Sequence, residues 1–196
     1  PPLTQPRPAI YKAGHFLLCG SGTSGVVVTS STDNGVSWSF PHTIPGASGA
    51  DGISIGTDGA SSSPYYGRSY VAWPNFSGAY TNRIVFSSSA DGGVTWSLAA
   101  VVSPPTSAGH HHQGCDLRVS PNGQLYVVWA NATTNGQNST EDSLGFAVST
   151  DGGASWARST NSADDMNGIR AGSFMNGIRV HGFPRIDVDR SGGSRN

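Results

Sequence analysis

Three octapeptides in this chain share one pattern, Ser-x-Asp-x-Gly-x-Ser/Thr-Trp. They run Ser31-Thr32-Asp33-Asn34-Gly35-Val36-Ser37-Trp38, Ser89-Ala90-Asp91-Gly92-Gly93-Val94-Thr95-Trp96 and Ser149-Thr150-Asp151-Gly152-Gly153-Ala154-Ser155-Trp156. Asp33, Asp91 and Asp151 stand 58 and 60 residues apart. One turn recurring at a near-constant period means one supersecondary unit repeated along the chain. In each copy the Asp carboxylate can accept backbone N–H groups within the turn, as Asx-turns do. The Gly can take a positive φ at little steric cost. The Ser/Thr hydroxyl is expected to tie the turn to the adjoining strand, and the Trp to plug the gap between neighbouring sheets. Each turn offers a single carboxylate, so it reads as a structural turn rather than a calcium loop.

A β-rich run precedes each turn: Val26-Val27-Val28-Thr29, Arg83-Ile84-Val85-Phe86 and Leu144-Gly145-Phe146-Ala147-Val148. The turn therefore joins two strands of a hairpin. The repeat extends upstream. Gly67-Arg68-Ser69-Tyr70-Val71-Ala72-Trp73 aligns with Gly123-Gln124-Leu125-Tyr126-Val127-Val128-Trp129, and Gly14-His15-Phe16-Leu17-Leu18-Cys19-Gly20 is a weaker copy. Shorter alternating segments lie before these, Ile53-Ser54-Ile55, Leu117-Arg118-Val119 and Ile186-Asp187-Val188. Each unit thus holds four strands, A to D. They are expected near 8–12, 15–19, 25–30 and 37–42, then 52–56, 69–73, 83–88 and 95–102, then 116–120, 124–130, 144–149 and 155–159. A fourth unit opens near Pro184 and turns at Asp189-Arg190-Ser191-Gly192-Gly193. Four antiparallel strands per repeat are the signature of β-propeller blades. The fold class is all-β, a partial propeller of about three blades plus the start of a fourth. Blade limits are expected near 1–48, 49–106, 107–165 and 174–196, within one segment spanning 1–196.

Composition agrees. The chain holds 27 Gly, a single Lys (Lys12) and a single Glu (Glu141), so good helix formers are scarce and short strands with tight turns are favoured. Five Trp, six Tyr and seven Phe supply the apolar area that a disordered Gly/Ser-rich chain would lack. With a net charge of −1 and no basic block, nucleic acid is excluded as a partner. No apolar run is long enough to span a membrane as a helix. Cys19 and Cys115 fall in expected strands and read as buried thiols, with no CxxC for zinc. The motifs require no metal and no cofactor. Asn75, Asn131 and Asn138 stand in Asn-x-Ser/Thr sequons, which matter only for a glycosylated, secreted chain.

The octapeptides together with the Tyr-Val-x-Trp strands resemble the sialidase (neuraminidase) superfamily of BNR/Asp-box propellers. The resemblance covers nearly the whole chain. It implies a segment of a sialidase-like glycoside hydrolase acting on extracellular glycans, secreted or periplasmic. The alternative is a non-catalytic Asp-box propeller that binds carbohydrate or protein, since one fold hosts both. Such rings usually hold six or more blades, so closure needs further blades or self-association with a second copy.

Blade topology sorts the candidate residues. The Asp boxes are C–D turns, on the face away from the usual pocket. Strand B–C loops and D-to-A connections gather on the other face. They carry the candidate substrate-binding residues Arg7, Asp51, His111, Glu141, Asp142, Arg179 and His181. Arg7-Pro8-Ala9-Ile10 is a loose echo of the Arg-Ile-Pro motif that the resemblance leads one to expect at the first strand A. The first B–C loop, residues 20–25, lacks the acid that the resemblance places there. No catalytic residue is assigned. The bland readings are that His110–His112 and Glu141-Asp142 are solvated loop and that Trp73 and Trp129 are core.

Overall fold

The computed structural model describes the backbone of residues 4–12, 15–22, 25–135, 138–163, 170–171, 174–175, 178–179 and 182–191, and side chains within 15–22, 25–134, 140–159 and 182–191. Among the described residues it holds three antiparallel blade sheets that meander strand by strand, and a separate two-stranded sheet. Blade 1 comprises β1 (Thr4–Lys12), β2 (His15–Gly22), β3 (Gly25–Ser31) and β4 (His42–Thr43). Blade 2 comprises β5 (Ser54–Thr57), β6 (Ser69–Asn75), β7 (Arg83–Ser89) and β8 (Ala100–Val101). Blade 3 comprises β9 (His110–Val119), β10 (Leu125–Asn135), β11 (Asn138–Ser149) and β12 (Ala157–Ala163). A short β13 (Arg170–Ala171) pairs with β11 at Ser139 and Thr140. β14 (Phe174–Met175) and β15 (Ile178–Arg179) pair with each other. The chain is an all-β partial propeller.

Strand alternation builds the cores. Every residue of β6 is buried. Val71 and Trp73 point into one cluster with Leu17, Cys19, Val26 and Val28 of blade 1. Tyr70 and Ala72 point into a second cluster with Leu117, Val127 and Trp129 of blade 3. A middle blade has an apolar neighbour on each side, so both faces of its strands are apolar. Trp73 and Trp129 are core, and neither buried cysteine is in a disulfide.

The Asp boxes fold alike. In the first, Ser31 Oγ donates to Asp33 Oδ1 (2.8 Å) and accepts from Gly35 N (2.8 Å). Ser37 sends both its N–H (2.9 Å) and its hydroxyl (2.5 Å) to the Asp33 carboxylate. The second and third boxes repeat these bonds through Ser89, Asp91 and Thr95 and through Ser149, Asp151 and Ser155. The box hydroxyls therefore close on the carboxylate itself, rather than tying the turn to the next strand as expected. Gly35, Gly93 and Gly153 all lie at φ between 83° and 94°, a region that favours glycine.

Three other expectations are corrected. Strands D of blades 1 and 2 do not start at the box Trp but several residues later, at His42 and Ala100. The residue after Trp is Ser in both, and its hydroxyl takes over one bond of the ladder: Ser39 N and Ser97 N still donate to the Ser30 and Ser88 carbonyls, but Ser30 N donates to Ser39 Oγ and Ser88 N to Ser97 Oγ. In blade 3 that residue is Ala157, which has no hydroxyl, and β12 begins there. Second, the box Trp does not plug a gap in every blade: Trp96 is 9% exposed, Trp38 is 40% exposed. Third, residues 110–113 and 131–142 are not loop. The strands of blade 3 run on past the blade and include them, apart from the undescribed turn at 136–137. Beyond blade 3, residues 182–191 lie against its inner strand, with Ile186 N donating to Asp116 Oδ2 (3.2 Å).

Candidate functional site

The meander puts the B–C hairpins and D-to-A connections on one face, opposite the Asp boxes. Blade 3 reaches farthest there. Its register pairs Ala132 with His111 on one side and Glu141 on the other, so these three share a row. A register shift in β10–β11 pairs Asn131 with Ser143 and Ala132 with Glu141, leaving Asp142 as the extra residue. Such a bulge re-aims side chains. Here it sends adjacent carboxylates into different environments.

Glu141 is fully buried. Its Oε2 accepts the N–H of Gly182 (2.8 Å), while Oε1 has no partner. Burial pushes its carboxyl above the ordinary range, against the opposing pull of the Gly182 N–H. Asp142 is half-buried and accepts from Thr133 Oγ1 (2.5 Å). That hydroxyl has given its proton, so the Nδ1 of His110, 3.1 Å away, must be the donor to it.

His111 and His112 are both buried, contrary to the solvated-loop reading. His111 Nε2 lies 3.0 Å from the acceptor Oε1 of Gln113, which fixes the proton on Nε2. Its Nδ1 then accepts from Thr134 Oγ1 (3.0 Å), and its ring meets Phe76 edge-on at 5.9 Å. His112 faces blade 2. Ser103 Oγ accepts from Ile84 N (2.8 Å) and is hydrogen-bonded to His112 Nδ1 (2.7 Å). Burial, then the Arg83 charge and His111, lower the His112 pKa from 6.5 to about 4. His112 is therefore neutral at physiological pH. Arg83 is occupied with the Ser103 carbonyl.

Asp51 lies one blade back, half-buried, with Oδ1 accepting from Gly52 N (2.8 Å). Asp51-Gly52-Ile53 and Gln113-Gly114-Cys115 make the same approach to strand A, with Gly52 and Gly114 at φ 56° and 62°. Cys115 Sγ lies 3.8 Å from the Gly52 carbonyl, so the two approaches touch. Asn75 Oδ1, where β6 enters the blade 2 loop, is a second buried oxygen with no partner. The structure thus sets His111, Glu141 and Asp142 on the extended hairpin end of blade 3 and Asp51 on the neighbouring blade. Arg7 pairs with Cys19 in the backbone ladder and Arg179 with Phe174, but their side chains lie outside the described residues. His181 lies outside them altogether.

The box carboxylates behave differently. Hydrogen bonds from Ser37 and Ser31 hold Asp33 at about 2, and those from Ser155 and Ser149 hold Asp151 at about 2. At Asp91 burial pulls upward, but the bonds from Thr95 and Ser89 outweigh it and the pKa is lowered. They are satisfied and permanently ionised, which suits a fastener.

The fold has solved relatives. Over 78% of its length the chain superposes on 36% of the Hadza microbial sialidase Hz136, at 17% identity and a TM-score of 0.54. It superposes over 86% on 58% of an endo-1,4-beta-xylanase from Bacteroides thetaiotaomicron, at 15% identity and TM-score 0.53. A protein of unknown function from Dyadobacter fermentans matches at 17% identity and TM-score 0.52, over 80% of this chain and 50% of that one. The chain spans between about a third and three-fifths of these proteins. At such identities the likeness is one of fold. No family model matches the sequence, and no curated protein is similar to it.

Sequence reasoning missed Gln113, Thr133, Thr134 and Ser103. A signal existed for three of them. Apolar residues alternate through Cys115-Asp116-Leu117-Arg118-Val119, and the same period continues back to His111 and Gln113. Ala132-Thr133-Thr134 is small or β-branched enough to prolong strand B. Ser103 gave none, because its role depends on a histidine in another blade.

Proposed function

We propose that this chain is a segment of a sialidase-like glycoside hydrolase acting on extracellular glycans, and that the glycan meets the loop face around blade 3. One observation carries the reading. Glu141 is a buried carboxyl with raised proton affinity and one unpartnered oxygen, on the face where propeller loops converge. Glycoside hydrolysis needs a carboxyl that keeps its proton near neutral pH, and burial is the usual way to obtain one. Asn75 Oδ1, on the same face, is a second buried oxygen without a hydrogen-bond partner. His111 and Asp142 flank the row, Asp51 stands one blade away, and Arg7, Arg179 and His181 are proposed as further contacts. The likeness to the Hz136 sialidase supports the reading at the level of fold.

A non-catalytic carbohydrate- or protein-binding propeller is the second reading. The β2–β3 hairpin favours it, since it closes from Gly22 to Gly25 without an acid. A glycan array with this chain and its Glu141→Gln variant tests the site. Binding is expected, reduced about tenfold in the variant, as for loss of one hydrogen bond. Fluorogenic sialosides offered to the whole propeller separate the two readings. Turnover between pH 4 and 8 supports the hydrolase; array binding without turnover supports the binder. Neither binding nor turnover overturns both.

A further inference from the structure

Two arginines meet at the boundary between blades 2 and 3. Arg83 opens β7, and Arg158 stands in β12 of the next blade. Both reach the same stretch of chain, at and just beyond β8. Arg83 donates from Nε (3.1 Å) and from a terminal nitrogen to the Ser103 carbonyl. Arg158 crosses the boundary and donates from Nε to the Val102 carbonyl (2.5 Å) and from a terminal nitrogen to the Val101 carbonyl (3.4 Å). Ser103 is itself fixed, since its Oγ accepts from Ile84 N and is bonded to His112 Nδ1. Two guanidinium groups are therefore held on three consecutive carbonyls. The outermost strands of the two sheets, β8 and β12, carry the pair, so it lies on the outer edge of the stack.

Stray carbonyls do not by themselves call for two cations. Elsewhere on strand D the chain meets that need with neutral hydroxyls: Thr29 Oγ1 donates to the Ser39 carbonyl (2.8 Å) and Ser87 Oγ to the Ser97 carbonyl (2.8 Å). Arginine costs more, because a guanidinium loses water and like charges repel. Both effects act on Arg83: burial first, then the charge of Arg158, lower its pKa. It stays charged all the same, since arginine is not deprotonated in proteins. Arg118 has Asp116 and Asp187 as ion-pair partners, and Arg185 has Asp116. Among the described residues no carboxylate lies within ion-pair distance of Arg83 or Arg158. The chain has 11 Lys and Arg in 196 residues, so two set together against their own repulsion do not follow from a basic surface.

We propose that Arg83 and Arg158 form a binding site for a phosphate dianion, free or as a phosphomonoester, on the outer edge of the blade 2–3 boundary. Each guanidinium has five N–H donors and spends two on the carbonyls, so three on each are left for a ligand. The carbonyl bonds fix both side chains in advance, which reduces the ordering cost of binding. A carboxylate brings one charge and two oxygens in one plane, enough for one arginine fork. A dianion balances both charges, and its tetrahedral oxygens can face two guanidinium planes at once. Arg83 is half-buried, so its charge is screened less than on an open surface. Arg158 is exposed, so the ligand enters from the solvent side. The boundary lies inside the stack, with the sheet of blade 2 on one side and that of blade 3 on the other. The site does not use Glu141 and is independent of any glycan.

Isothermal titration of the chain with sodium phosphate tests it, at low ionic strength and about pH 7.5, where a phosphate group is mostly dianionic. One saturable site per chain is expected. Arg83→Gln and Arg158→Gln keep a donor for the carbonyls and lose the charge. Each should weaken binding about tenfold or more, as for loss of a hydrogen bond to a charged group. Arg190→Gln, which removes an exposed arginine outside the site, should bind as the unaltered chain does. Glycerol phosphate separates the two sources: it binds more tightly than inorganic phosphate if the ligand is a phosphomonoester, and more weakly if it is free phosphate. Glucuronate, a monoanion, should bind about tenfold more weakly than phosphate, having no second charge for the second arginine. The two arginines come from different blades, so each variant tests the site alone if the other does not fold. Absence of a saturable site, affinity indifferent to both variants, or glucuronate bound as tightly as phosphate would overturn the proposal.

Discussion

At the turn end of blade 3, Asp151 is half-buried and accepts hydrogen bonds from Ser149, Ser155 and the Ser155 backbone. At the loop end of the same blade, Glu141 is sealed from water and accepts one bond, from Gly182. The Asp151 carboxylate is held at about 2, and the fully buried Glu141 is pushed up. Exposure alone would not predict so wide a separation. The Asp box supplies its own donors within a few residues, so its charge is satisfied wherever the motif occurs. The Glu141 hairpin supplies none, so its charge depends on what the rest of the fold brings. A motif that satisfies itself is fit to be repeated as a fastener. A carboxyl left short of donors is fit for a ligand.

The largest expected effect tests the fastening end. Trp96→Ala should lower unfolding stability by about 3–5 kcal/mol, as for a large aromatic removed from a core. Trp38→Ala should stay within about 0.5 kcal/mol, as for a surface change. Urea titrations at low protein concentration measure both. Equal losses would mean that the boxes act within their own blades and not between them.

Next come the two carboxylates, with opposite signs. Asp151 has a lowered folded pKa, so its contribution is full above the unfolded value of 3.8 and is lost as pH falls towards about 2. Asp151→Asn should therefore lower the melting temperature at pH 7, and the difference should shrink in acid. Glu141 has a raised folded pKa, so its stabilising proton is lost as pH rises through that value. Glu141→Gln should raise the melting temperature at pH 7–8 by about 2–4 °C, a shift typical of ~1 kcal/mol in a chain of this size. The two proteins should converge near pH 4. A Glu141→Gln variant less stable at pH 8 would break the contrast.

The smallest effect concerns His112, also at the loop end. Its pKa falls from 6.5 to about 4, so the unfolded chain binds the extra proton first. Stability should be full above pH 6.5 and decline as pH falls towards about 4. His112→Gln should flatten that part of the profile in calorimetric scans.

Much of the fold was legible because its signals are local. The box, the Tyr-Val-x-Trp strand and their spacing gave three four-stranded units in the right order. The length of strand D was not legible in blades 1 and 2, because Ser39 and Ser97 compete with the ladder through side-chain bonds. The site was legible only in part. His111, Glu141 and Asp142 stood out as chemistry-bearing residues, but they looked like loop. The small and β-branched Ala132-Thr133-Thr134 is the one local hint that the sheet is prolonged, and nothing local says that Gly182, 41 residues from Glu141, supplies its one donor.

By itself the sequence determined the repeating unit and the chemistry of its turn, since these depend on contacts a few residues apart. The tertiary structure decided which tryptophans are seated, which histidines are neutral and which carboxyl lacks partners. Those properties depend on the neighbouring blade, and a nearly identical octapeptide meets a different neighbour at each position in the stack.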